Sequence, residues 1–140
     1  MANTESIQLI CGTTNDLTDA RYKLVVASGV AGSTEVTVAV NNTDEIAGVL
    51  EGNAHTANAI QPLWVTTHGM ATCIAGANDL TPFGLVMCTT GGRVVDYARG
   101  ADRNVVGRYV PEPQNGVIVA NLEDDEVRVF INIVAHDDAT

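Results

Sequence analysis

Hydrophobic positions along this chain come in short bursts, and none repeats with the 3.6-residue period of a long amphipathic helix. The runs rich in Val, Ile and Thr are Ile7–Gly12, Tyr22–Ser28, Glu35–Val40, Ile46–Leu50, Leu63–Thr67, Met70–Ala75, Leu85–Thr89, Arg93–Ala98, Val105–Val110, Val117–Ala120 and Val127–Val134. β-branched side chains are stiff in a helix and fit the half-buried pleat of a strand. In Glu35–Val40 the valines fall on one face. In Val127–Ile133 the odd positions are apolar, while Arg128 and Asn132 face the other way together with Phe130. The pattern predicts many short strands and little helix, with one helical turn over Asn15–Arg21 as the candidate exception.

Turn residues separate the runs. Thr67-His68-Gly69 and Thr90-Gly91-Gly92 have hairpin length, and Gln114-Asn115-Gly116 carries the Asn-Gly pair of a tight hairpin. Asn121–Glu126 is an acidic link into the last strand. Short antiparallel strands with Gly-rich turns predict an all-β fold: a single sandwich or jelly roll, or a small barrel. Asp44–Leu50 and Arg103–Tyr109 echo one another, each with a central Gly, and each leads through a polar link to another apolar run. Two such units would form two halves of one barrel, unless two hairpins are alike by chance. The chain divides into an N-terminal arm and first strand (1–16), a β-domain (17–134) and a polar acidic tail (135–140). The arm Met1–Ser6 either lies along a neighbour or frays.

Composition narrows the partners. The 140 residues carry 7 basic and 17 acidic side chains, a formal charge of -10. Nucleic-acid binding through a broad basic face and a polybasic membrane anchor are both excluded by that balance. Nothing at the N-terminus reads as a signal peptide, and no apolar run reaches the length of a spanning helix. Charged residues make up 17%, fewer than in an average domain, which predicts surface hidden against something.

The chemistry-bearing residues form no motif. Cys11, His55, His68, Cys73 and Cys88 have ligand atoms without metal-site spacing, so no metal or cofactor is expected. His136 lies in the polar tail. The cysteines sit in or beside apolar runs, where buried reduced thiols are expected. There is no G-x-S-x-G nucleophile and no phosphate loop. Ala75–Leu80 and Gly92–Gly100 are similar to two motifs of the trimeric dUTPases, but that family's other elements are missing. Asp79 and Asp96 then read as turn and strand-face residues, and the expectation is a non-enzyme. Arg93, Arg99, Arg103 and Arg108 are four of the seven cations, gathered in one stretch. Either they form a patch for an acidic partner or they lie on a solvated loop beside Asp96 and Asp102. Leu63 and Trp64, just after Pro62, are further contact candidates, with a core Trp as the alternative. A solvent-facing acidic side and a partner-facing Arg side are expected.

The order of elements resembles the capsid decoration (cement) proteins of tailed bacteriophages. The resemblance runs over residues 17–134 through Leu17–Val26, Glu45–Leu50, Val65–Ala71, Asp79–Val86 with Thr89–Val94, and Asn104–Arg108. It implies a virion structural protein, made in the host cytoplasm, on the outer capsid surface. There it would bridge major capsid protein subunits as a symmetric dimer or trimer, with no active site. A carbohydrate- or host-surface-binding β module is the alternative, and the low aromatic content weakens it.

Overall fold

A computed structural model describes residues 4–11, 17, 20–27, 35–42, 44–51, 62–99 and 104–134. The strands are β1 (Glu5–Cys11), β2 (Leu24–Ala27), β3 (Glu35–Val38), β4 (Ile46–Leu50), β5 (Pro62–Ile74), β6 (Leu85–Thr89), β7 (Arg93–Asp96), β8 (Val105–Tyr109) and β9 (Glu126–Val134). Among the described residues the one helical element is the 3₁₀ turn Thr90–Gly92 between β6 and β7. The strands form one sheet in the order β1-β3-β2-β4-β5-β9-β8-β6-β7, and β1 also pairs with β5. That return closes β1 to β4 and the first half of β5 into a five-stranded ring. The remaining strands curl the same way, from the second half of β5 through β9, β8 and β6 to β7. There Val94 forms a bridge with Ala75, the residue after β5. The expected small barrel is therefore present, in two curled halves.

The expectation of purely antiparallel pairing needs one amendment. β1 pairs with β3 in parallel, and Ala75 meets Val94 in parallel. A closed ring with an odd number of strands cannot alternate direction all the way round, so one neighbouring pair must run together.

The two rings agree in register. Leu24, Val25 and Val26 pair with Val49, Gly48 and Ile46, skipping Ala47. Leu85, Val86 and Met87 pair with Arg108, Gly107 and Val105, skipping Val106. Ser6 to Ile10 pair with Thr66 to Pro62 as Met70 to Ile74 pair with Phe130 to Glu126. The connecting bonds also repeat. Tyr22 N–H donates to Leu50 O and Phe83 N–H to Tyr109 O, both at 2.9 Å, and both donors have positive φ (66° and 61°). Sequence agrees once the rings are aligned: Asn15-Asp16-Leu17-Thr18 recurs as Asn78-Asp79-Leu80-Thr81. The echo between β4 and β8 is thus part of a tandem repeat in which β5 ends one unit and begins the next.

The repeated glycines have a steric cause. A Cβ at Gly48 would lie 2.4 Å from the carbonyl oxygen of Thr66, and one at Gly107 would lie 2.0 Å from that of Phe130. Beside each bulge the backbones approach too closely for a side chain.

Inside the first ring Leu17, Ala20, Val25, Val36, Leu50 and Val65 form one core. Their counterparts Leu80, Val86, Val94, Tyr109 and Val129 fill the second ring. The second core also takes in Leu24, Ile46 and Val49 from the outside of the first ring. β4 is therefore buried on both faces, and the rings share apolar packing as well as a strand.

Three expectations are corrected. Thr67-His68-Gly69 is no hairpin, because β5 runs through it for 13 residues. Residues 62–68 pair with β1 and 68–74 with β9, so both halves are held in ladders and Gly69 keeps its positive φ of 102° within the strand. Val117–Ala120 is no strand beyond a bridge from Val117 to Gln114, because β8 and β9 pair with each other directly. Glu5 and Ser6 belong to β1 rather than to a loose arm. Most of the helical turn expected over Asn15–Arg21, and the tail 135–140, lie outside the described residues.

Candidate functional site

Among the described residues, besides singly exposed Val40 and Trp64, two surface features present apolar side chains to solvent. The first is the connection from β8 to β9. It turns at Asn115-Gly116 (φ 53° and 77°), where Gln114 and Val117 exchange backbone bonds of 2.8 and 3.0 Å. The chain then runs over the surface with Val117 at 61% exposure, Val119 at 57% and Leu122 at 64%. Among the described residues, Ile118, Val119 and Ala120 make no backbone hydrogen bond.

Buried Asn121 fixes the far end of this arm. Its Oδ1 accepts from Leu80 N–H at 2.8 Å, and its Nδ2 donates to Ala77 O at 2.8 Å and to Leu122 O at 3.1 Å. Leu122 N–H bonds Asp125, and Glu123 N–H bonds Asn78. The connection is thus anchored at its base and turns large apolar groups outward. Glu112, Glu123, Asp124 and Asp125 give it an acidic rim.

The second feature is a groove of about 350 Å³ on the outside of the second ring. It is lined by Leu85, Val105, Gly107, Arg108, Val110, Phe130 and Asn132. Phe130 meets His68 edge to face, with ring centroids 5.3 Å apart. Arg108 donates to the carbonyl of Phe83, and the Phe83 ring is half exposed.

Arg93 and Arg108 stand at different places on the second ring, opposite Thr89 and Leu85 of β6. Arg93 reaches across to Asp124 at 3.1 Å and Glu123 at 3.6 Å and also donates to Thr90 O. It binds the acidic link that was expected on the opposite side, because the β6–β7 turn and that link are neighbours. Arg108 lines the groove, Arg99 is exposed with a partner of its own, and Arg103 lies outside the described residues. Arg128, which sequence reasoning passed over, pairs with Glu112. Trp64 is on β5 opposite Gln8 and is 44% exposed. Leu63 is in the same strand, and its side chain lies outside the described residues. The apolar arm was missed because its Val-Ile-Val run reads as a core strand.

The thiols follow their burial. Cys73 and Cys88 are free and buried. Burial pushes the Cys73 thiol far up, and burial together with Asp44 pushes Cys88 up to about 12. Burial, then Asp125, also raises Tyr109. Neither thiol is a nucleophile near neutral pH, since the thiolate is the reactive form. Asp96 accepts from Thr81 N–H and Oγ1 and so ties a turn, and Asp79 sits at a bend with positive φ. Among the described residues no three His, Cys, Asp or Glu side chains gather as a metal-ligand set. Cys11's side chain, His55 and His136 lie outside them. Among the described residues no helix is long and apolar enough to cross a membrane.

The fold and its surfaces define a class: a duplicated small all-β scaffold with exposed apolar side chains. No family model matches the chain, and no curated protein sequence matches it. A solved structure does. It is the N base of the head fiber protein gp8.5 of bacteriophage phi29, at a TM-score of 0.58 and 16% identity. The match covers 93% of this chain and 95% of that one. The two share a fold over almost their whole lengths.

Proposed function

We propose that the protein is a structural component of a phage head. It sits on the outer surface of the assembled capsid, cements major capsid protein subunits, and acts as a homo-oligomer without turnover of any substrate. One observation carries this reading: the fold likeness to a phage head-fiber base runs through both chains nearly end to end. The apolar arm Val117–Leu122 supports it, being a surface whose exposure gains nothing for an isolated monomer. Attachment to a shell needs only modest contacts repeated by symmetry, so avidity replaces single-site affinity.

Co-sedimentation with assembled heads tests the reading. The protein is expected to pellet with heads and to leave unassembled major capsid protein free. Val119→Asp and Leu122→Asp are expected to weaken head binding by about tenfold or more with little change in melting, since both side chains are exposed. Equal binding to unassembled subunits, or undiminished binding by the double variant, would count against it.

A further inference from the structure

The repeat gives the groove on the second ring a meaning. Each of its central residues has a counterpart in the first ring: Leu85 answers to Leu24, Val105 to Ile46, Gly107 to Gly48 and Arg108 to Val49. In the first ring that face is sealed by the second. Leu24 is 0% exposed and Val49 1%, within the core that also holds Val86, Cys88 and Val94. The β6–β7 turn lies directly on it, so that a Cβ on Gly92 would come 2.8 Å from Leu24 O. Asn104 fastens the same contact through bonds to Asn42 O and Asp44 O. In the second ring Val105 and Gly107 stay buried, but Leu85 is 37% exposed and Arg108 faces solvent, so the groove is open at these two positions.

A tandem array satisfies each internal docking face with the next unit and leaves the last one unsatisfied. We propose that the open groove is a self-association site that takes the first ring of a second copy of this chain, head to tail. It rests on the oligomer part of the reading above and not on the capsid part. The occupant follows from the repeat: what covers the equivalent face within the chain is a ring of this same fold.

The first ring has the matching surface. Ala27, the counterpart of buried Cys88, is exposed at the end of β2. A head-to-tail contact is heterologous, so it either closes into a ring or grows as a chain.

Sedimentation velocity on the purified protein, without heads, tests this. The wild type is expected to associate, and Leu85→Asp (groove) and Ala27→Asp (donor face) each to weaken association by about tenfold or more. Near-UV circular dichroism and melting establish that both fold, as expected for exposed positions. The decisive arm mixes the two variants. Ala27→Asp keeps an intact groove and Leu85→Asp an intact donor face, so the mixture is expected to form a heterodimer that neither forms alone. A wild type that stays monomeric at high concentration, a Leu85→Asp variant that associates normally, or a mixture that stays monomeric would each overturn the proposal. Loss of head binding with association intact would sink the capsid reading and leave this one standing.

Discussion

In the first ring the outward side chains of Leu24 and Val49 are sealed by its neighbour. In the second ring Leu85 and Arg108 hold the same places and face solvent. The aromatic residues at the ring entrances differ in the same sense. Arg21 lies over Tyr22 at 4.6 Å, while the Phe83 ring is half exposed. Inside the rings the counterparts stay alike, as in Val25 and Val86, Val36 and Val94, and Val65 and Val129, all almost wholly buried. Interior packing tolerates little change in volume, so these repeated positions keep their residue, while Leu50 answering to Tyr109 shows where the second core is filled differently. Outward positions answer to whatever touches them, and the two rings have different neighbours.

The largest expected effect breaks the likeness itself. Gly107→Ala and Gly48→Ala are each expected to lower unfolding free energy by about 3 kcal/mol or more, because the obstructing atom is backbone and cannot move as a side chain would. Gly107 should suffer more, being closer to its obstacle. Urea titration measures both, and a Gly107→Ala variant as stable as wild type would contradict the close approach.

Leu24→Ala against Leu85→Ala sharpens the difference between the rings. The buried member should cost about 2–5 kcal/mol and the half-exposed one about 1 kcal/mol or less, measured on dilute monomer. Equal losses would mean that the rings do not differ in exposure as described.

Ala27 and Cys88 give a pH-dependent contrast. Cys88 holds its proton up to about 12 when folded, against 9.0 for a free thiol. In the window from 9 to 12 the unfolded chain has lost that proton and the folded chain has not. The stabilisation is therefore complete below pH 9 and is lost as pH climbs toward 12, at up to about 1.4 kcal/mol per pH unit. Cys88→Ala, which places the first ring's residue in the second, should remove this share of the alkaline slope in denaturation series and leave the share of Cys73. Below pH 9 neither Cys73 nor Cys88 should react with a thiol reagent until the protein is unfolded, and rapid native labelling of either would refute their burial.

The smallest effect belongs to Arg93. Its partners are more than half exposed, so Arg93→Ala should cost about 1 kcal/mol or less and fade with salt. A larger loss would mark this ion pair as a true clamp between the β6–β7 turn and the acidic link.

Much of the architecture was legible. The alternation in β3 and β9, the Gly turn between β6 and β7, and the Asn115-Gly116 turn all stand where residue type puts them. The repeat was only half legible. The run β4 against β8 shows it because no insertion separates its members. Asn15–Thr18 against Asn78–Thr81 hides it, because Asp19-Ala20-Arg21 fills the space that Pro82 fills alone before the aromatic residue. The arginines lie close in sequence, and the sheet order carries Arg93 to the acidic link and Arg108 to the groove.

Residue chemistry alone therefore determined the strand-rich class, the turns and the interior valines, since each depends on local periodicity and backbone preference. Ring closure, the continuity of β5 through Gly69, and the choice of which equivalent face is sealed came from tertiary structure. These rest on contacts between residues far apart in the chain, such as Gly92 on Leu24, and no local pattern encodes which of two similar strands will find a partner.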